Sequence, residues 1–254
     1  MKVRLLGCGT SSGVPRIGND WGECDADDGR NRRLRVSILV EHDGTRILVD
    51  TSPDLREQLL TADVRSLDAV IWTHDHADHC HGIDDLRQVF HFGGDPIKGY
   101  ARAATLVSLN QRFGYIFEGA DGYPAVVDGQ LLPDRFAVGP IEVRIVDQPH
   151  GTITSAGIRF DAGGRSISYS TDFNDLTDDM VGLFEDSDVW IVEALRRRPH
   201  PTHPHLDQAL GWIARVHPGR AILTHMDNSM DFATLAAGLP AGVEPGYDGL
   251  EVTL

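Results

Sequence analysis

Residues 73–81 read Thr-His-Asp-His-Ala-Asp-His-Cys-His, which puts four imidazoles and two carboxylates in nine positions. The apolar run Ala69 to Trp72 precedes them and predicts a short strand buried on both faces. When a buried strand empties into such a cluster, every polar group needs a partner or a desolvation cost is left standing. A divalent metal supplies that partner. Neutral imidazole and carboxylate suit zinc, and equally manganese or iron. The bland alternative is a solvated His-rich loop.

Spacing separates the donors into two sets. His74 and His76 are two apart, so on an extended segment they point to one side. Asp78 and His79 are adjacent and cannot share that direction unless the chain turns into a helix after His76. If it does, they face a second position beside the first, and one motif serves two metals. Further polar residues recur at strand ends: Asp50, His150, Asp172, Glu193 and His225 each lie at or just after the C-terminal end of a predicted strand. Active-site groups commonly gather on such a face.

The elements that must position them read as follows. Residues 2 to 6 form a strand, followed by the glycine-rich stretch Gly7 to Pro15, which lacks the Gly-Lys-Ser/Thr ending of a P-loop. That stretch is either a tight loop or a backbone approach to ligand. Residues 35 to 40 and 45 to 50 form a hairpin across Glu41 to Gly44. A helix then starts with Ser52 as cap and Pro53 in its first position and runs to about Leu60. The stretch from Gly82 to Arg87 continues as helix after the histidine cluster. Residues 92–135 read as an inserted segment, with a helix from about 103 to 113 and the aromatic run Phe113 to Phe117. That run reads as core packing, a wall over the site or a homodimer contact. Strands at 141–146, 153–160, 165–170, 188–193 and 221–224 follow, with a helix at 206–216.

His74-Asp-His76-Ala-Asp78-His79 matches the H-x-H-x-D-H signature of the metallo-β-lactamase fold hydrolases. The resemblance covers nearly the whole chain. It implies an α/β fold, a four-layer αβ/βα sandwich in one domain over residues 1–254. It also implies that His74, His76 and His150 hold one metal and that Asp78, His79 and His225 hold another, with Asp172 bridging. Gly9-Thr-x-x-x-Gly13-Val-Pro15 resembles the loop of the phosphodiesterase of phosphonate (carbon–phosphorus lyase) metabolism and its bacterial relatives. That family holds a structural zinc through cysteines in the loop after this one and a downstream His. Here only Cys24 remains and Asn228 stands at the His position, which argues against that zinc. His203, with Gln208-Ala209 following, and Glu193-Ala194 resemble steps of ribonuclease Z, in which a His meets the phosphoester and a carboxylate orients it. His203, Asp78 and Glu193 are thus the expected catalytic residues, and His205 competes with His203. The function implied is phosphodiester hydrolysis by metal-hydroxide attack on small cyclic or nucleotide-like substrates, with two divalent ions, zinc or manganese, or iron.

Composition sets bounds. The 254 residues are 41% hydrophobic and carry a formal charge of −15. That charge argues against extended nucleic acid but leaves room for one small phosphate ester, because bound metals invert the local field. Arg32, Arg33 and Arg35 could reach such a phosphate. No apolar run reaches about 18 residues and no signal peptide is apparent, so a cytoplasmic location without a membrane span is the default expectation. Cys8, Cys24 and Cys80 do not form a disulfide framework, and Cys80 reads as a buried free thiol. A thioesterase or lactonase of the same fold, a tRNA 3′-processing nuclease and a non-catalytic nucleotide binder are the alternatives. A nuclease of that kind carries a basic arm that this chain lacks.

Overall fold

The computed structural model describes residues 1–254. In chain order its first half comprises β1 (Lys2–Gly7), β2 (Ser37–His42), β3 (Thr45–Val49), α1 (Leu55–Thr61), β4 (Ala69–Ile71), α2 (Ala77–Cys80), α3 (Leu86–Gly93), β5 (Ile97–Ala101), α4 (Ala103–Glu118) and β6 (Val127–Leu131). The second half comprises β7 (Arg135–Val138), β8 (Ile141–His150), β9 (Ile153–Ala162), β10 (Arg165–Ser170), α5 (Asp178–Phe184), β11 (Val189–Glu193), α6 (Leu206–Val216), β12 (Ala221–Thr224), α7 (Phe232–Gly238), β13 (Val243–Pro245) and β14 (Glu251–Thr253). Two seven-stranded sheets result, in the orders β14-β1-β2-β3-β4-β5-β6 and β13-β12-β11-β10-β9-β8-β7.

Alternation along the strands builds the layers. In β2 and β3, Ile38, Val40, Ile47 and Val49 join the core that includes Ile145, Ile158, Tyr169 and Trp190 of the second sheet. Leu39 and Leu48 face the other way, with Val70 and Trp72, against Leu55 and Leu59 of α1, Leu86 and Val89 of α3 and Leu109 of α4. Met180 and Phe184 of α5 and Ile213 of α6 pack with the second sheet. The result is the αβ/βα sandwich.

Five expectations shift. The stretch 92–135 carries β5 and β6, which extend the first sheet by parallel pairing beside β4, so it supplies structural strands where an insertion was expected. α4 continues to Glu118 past a kink at Phe113. Within the aromatic run Ile116 is buried, Phe117 meets Trp72 with ring centroids 6.2 Å apart, and Tyr115 is exposed, so core packing accounts for most of it. The first hairpin turns at Asp43–Gly44, both at positive φ, within the expected stretch, and β2 runs two residues further than the alternation suggested. α1 begins at Leu55, because Ser52 Oγ instead accepts the Asp54 N–H in a turn ahead of the helix, and the chain after α2 breaks into a 3₁₀ turn before α3.

The glycine-rich stretch packs on protein. A Cβ on Gly7 would stand 2.1 Å from Arg35 O and one on Gly9 2.9 Å from Arg33 O, so these glycines permit close backbone approach. Arg33 is buried, and its guanidinium donates to Asp227 O (3.1 Å), Met230 O (2.5 Å) and Asn31 Oδ1 (3.2 Å). Arg35 is paired with Asp54. Both are committed to structure, and neither is free for phosphate.

Candidate metal centre

Three strand ends turn through a left-handed residue. Asp50 follows β3 at φ 63°, Asp172 follows β10 at φ 56°, and His225 follows β12 at φ 55°. A non-glycine residue there costs on the order of 1 kcal/mol, and such strain clusters at functional sites. The chain accepts it three times on one edge of the sandwich. β4 leads beside them through Trp72 into Thr73 and His74, β8 ends in His150, and β11 ends in Glu193.

The predicted residues converge there. His74, His76, His150 and Asp172 form one group of donor atoms, all within 4.8 Å of one another, Asp78, His79 and His225 form a second, and His203 forms a third with Asp172 and His225, one member from each of the first two. Asp172 stands between the first two. Its Oδ1 lies 3.8 Å from His74 Nε2 and 3.6 Å from His150 Nε2, while its Oδ2 lies 3.0 Å from His79 Nε2 and 3.6 Å from His225 Nε2. Asp78 Oδ2 is 3.4 Å from His79 Nε2 and 3.6 Å from His225 Nε2. Two atoms each about 2.1 Å from a tetrahedral ion stand roughly 3.4 Å apart, so these spacings fit ligands of a shared ion.

The outer nitrogens explain why the inner ones are bare. His79 Nδ1 donates to Asp50 Oδ2 (2.7 Å), His225 Nδ1 to Glu193 Oε1 (2.8 Å) and His150 Nδ1 to Thr202 O (3.0 Å). Thr73 Oγ1 gives its proton to Asp50 and so accepts from His74 Nδ1 (3.1 Å). Each ring is thereby fixed with Nε2 inward, as metal-binding histidines are. The buried Nε2 atoms of His74, His79 and His225 have no hydrogen-bond partner. Unpartnered buried nitrogens beside carboxylates are what a cation would satisfy, and an all-N/O donor set leaves zinc, manganese and iron open.

The fold is shared with known proteins. A family model described as the β-lactamase superfamily domain matches residues 45–226. The chain belongs to the metallo-β-lactamase fold hydrolases. It is 33% identical over 261 residues to an octanoyltransferase of Porphyromonas gingivalis, and the alignment covers all of this chain and 52% of that protein. The chain thus spans about half the length of that relative. The crystal structure of a diphosphatase from the PhnP family matches with a TM-score of 0.91 and 33% identity, covering 100% of this chain and 97% of the other. Zinc-bound PqqB from Methylobacterium extorquens matches at a TM-score of 0.81 and 20% identity over the whole of both chains, a likeness of fold.

Electrostatics in this metallo-β-lactamase site follow from the packing. Burial opposes charge on His79 and His225, yet Asp172 and the neighbouring carboxylates outweigh it and hold both imidazoles well above their ordinary range. Burial, with His79 next to it, pushes His74 well below. Against burial, His225 and His79 hold Asp172 well below the carboxylate range. In the metal-free protein that direction favours the protonated forms of His79 and His225, whose protons a metal would displace. We expect metal binding to release about two protons and to tighten as pH rises. Calorimetric titration in buffers of different ionisation enthalpy reads the number; heats independent of buffer would contradict it.

Sequence reasoning missed the support beneath the two-histidine spread. Asp75, between His74 and His76, accepts Ser108 Oγ at its Oδ2 (2.6 Å), and Arg112 donates to its backbone oxygen (2.6 Å). Helix α4 thus braces the metal loop. No local motif signals this, since the partners lie more than 30 residues apart. Arg112→Ala is expected to weaken metal affinity about tenfold, read by competition with a chelating dye; unchanged affinity would assign Arg112 to surface packing alone.

His203 is half-buried, and its Nδ1 donates to Glu193 Oε1 (2.6 Å). It lies 3.7 Å from Asp172 Oδ1, with its ring stacked on that of His225 at 5.2 Å between centroids. His205 instead occupies the N-cap position of α6, outside all three donor groups. His200 packs edge-on to His203 at 4.9 Å. Cys80 is a buried thiol that donates to Asp75 O. No helix is long and apolar enough to cross a membrane.

Proposed function

We propose that this protein is a bimetal-dependent phosphoric diester hydrolase acting on small cyclic or nucleotide-like phosphodiesters. His74, His76 and His150 would hold one divalent ion, and Asp78, His79 and His225 the other, with Asp172 between. When bound, such a pair activates water and neutralises phosphoryl oxygens. The observation that carries the phosphoester reading is His203. It stands beside Asp172 and His225, is not needed to complete either proposed ligand set, and is locked by Glu193, where it can give a proton to a departing oxygen. An ester whose leaving group needs that proton fits this arrangement. The likeness to the PhnP-family diphosphatase supports phosphorus as the centre attacked. Zinc is favoured by the zinc-bound PqqB structure, with manganese second.

A second reading, hydrolysis of a thioester or lactone, draws on the relative named octanoyltransferase. An acyl substrate needs an apolar channel at the metals. Leu59, Leu60, Val89 and Phe92 line a groove between α1 and α3 that contains none of the site residues and is rimmed by charged side chains such as Arg56, Asp63 and Arg87.

The test is turnover of bis(p-nitrophenyl) phosphate by protein loaded with zinc or manganese, with Asp78→Ala as control. Turnover that the control loses supports the reading. Absence of turnover in protein holding two ions, together with cleavage of an acyl thioester, would replace it.

A further inference from the structure

Eight large apolar side chains stand exposed, and half of them lie on one face: Leu60, Phe92, Tyr115 and Tyr123. That face is the outer side of α1 and α3 together with the end of α4 and the turn after it. α1 and α3 bury Leu55, Leu59, Leu86 and Val89 toward the first sheet. Between them they leave a groove of about 840 Å³. The buried Leu59 and Val89 form its floor, and Leu60 (59% exposed) and Phe92 (65% exposed) stand on its rim. Arg87 joins the groove to a second hollow lined by Tyr115 and Tyr123, with its guanidinium 5.8 Å from the Tyr123 ring centre. Contiguous exposed apolar surface of this kind, rimmed by polar groups, marks an interaction site.

Charge identifies the occupant. The chain carries −15, yet the groove is lined by three arginines, Arg56, Arg65 and Arg87, and by three aspartates, Asp63, Asp84 and Asp85. It is therefore neutral. A nucleic acid or an anionic membrane needs a net basic face. A basic partner would be drawn more strongly to the acidic remainder of the surface. A face with both signs in equal number complements itself, because a twofold axis can set each arginine of one copy against an aspartate of the other. The pairs within one chain are long, 3.6 Å for Arg65–Asp63 and 3.5 Å for Arg87–Asp84, and solvent-exposed, so these groups are free to re-pair across an interface. This is also where two copies of an acidic chain repel least.

Shape and size agree with charge. A twofold interface needs knob and hole on the same patch, and here Phe92 and Leu60 stand beside the groove that a copy of them would fill. The groove is lined by 13 residues and the hollow by 8, Arg87 being common to both, which reaches the roughly 20 residues a side of a standard interface. We infer that the α1–α3 face is a homodimer interface, on which a second copy of this chain docks about a twofold axis with Phe92 and Leu60 of each copy in the groove of the other. No residue of the metal centre lines the groove, so the mouth of the site stays open in the dimer.

The experiment is sedimentation velocity of the whole chain over about 1–100 µM, which covers the affinities of standard-sized interfaces down to weak ones. The wild type is expected to sediment at twice the chain mass. Leu60→Asp/Phe92→Asp is expected to raise the dimer dissociation constant at least about hundredfold. Both side chains are exposed, so thermal melting and metal content should stay at wild-type values and show that docking, not folding, is lost. Ile17→Asp, at a fully exposed apolar residue elsewhere on the surface, serves as control and should leave the constant within about twofold. A wild type that stays monomeric at 100 µM overturns the dimer. A dimer that survives the double substitution, or one that Ile17→Asp weakens as much, overturns this face as its interface.

Discussion

Asp172→Asn lowers phosphodiester turnover by at least about a thousandfold, equivalent to roughly 4 kcal/mol of transition-state stabilisation. The substitution keeps the side-chain shape, and Asn tolerates the left-handed backbone at this position, so the fold should survive. What it removes is the charge facing both donor sets, with Oδ1 toward His74 and His150 and Oδ2 toward His79 and His225. The Asn side chain offers one acceptor and one NH₂ donor where the carboxylate offered two acceptors, so one donor set faces an N–H that no cation tolerates. Bound metal should fall below two ions per chain. Metal analysis beside the rate, with thermal melting as a check on folding, tests this. Full metal content with wild-type turnover would show that Asp172 does not link the sets. Asp78→Ala differs in kind, because Asp78 touches only the His79–His225 set.

Much of this site was legible because its donors are local or fall at strand ends. His74 to His79 sit in six residues, and the apolar run before them marks the strand that delivers them. The remaining donors declare themselves at or just past the ends of apolar strands: His150 at the end of β8, Asp172 after β10 and His225 after β12. The parts that were not legible are those made by tertiary contact. Asp50 was visible as a strand-end carboxylate, but its role in fixing His79 appears only when β3 and β4 pair in parallel. Ser108 and Arg112 reach Asp75 from a helix far along the chain, and the carbonyl that orients His150 belongs to Thr202. No periodicity predicts a backbone oxygen as a partner.

The misread segments share one cause. Residues 92–135 looked inserted because Gly93, Gly94, Asp95 and Pro96 read as a break and because β5 and β6 are short. β5 alternates Ile97, Gly99 and Ala101 inward with Lys98 outward, and Gly99 sits so close to Trp72 that its missing side chain is what permits the packing. A strand with glycine at its centre carries a weak hydrophobic signal. The helix start at Ser52 was misplaced for a related reason. A capping residue can serve any exposed N–H nearby, and here Ser52 Oγ accepts from Asp54, the residue immediately before the helix.

His203→Ala lowers kcat by about a hundredfold or more while leaving metal content unchanged. Its Nδ1 donates to Glu193, its ring stacks on His225, and it groups with Asp172 and His225, but the two ligand sets proposed above are complete without it, so its removal should spare the ions; a loss of metal would make His203 a ligand instead. If it protonates the departing oxygen, the penalty depends on that oxygen. A p-nitrophenolate leaves readily without help, whereas an alkoxide or a ribose oxygen does not. The loss should therefore be several times smaller for bis(p-nitrophenyl) phosphate than for a diester with a poor leaving group. Equal losses for both would make His203 a binder of the phosphoryl group instead of its proton donor. Glu193→Gln separates the two roles from the other side. Its Oε1 accepts from both His203 and His225, and its Oε2 accepts the Asp172 N–H at 2.6 Å, so one carboxylate positions the acid, a metal-facing imidazole and the residue between the donor sets. That variant should lose metal affinity as well as rate, whereas His203→Ala loses rate alone. An unchanged metal affinity in Glu193→Gln would mean that His225 is held well enough by its own strand end, and that Glu193 acts on the reaction through His203 only.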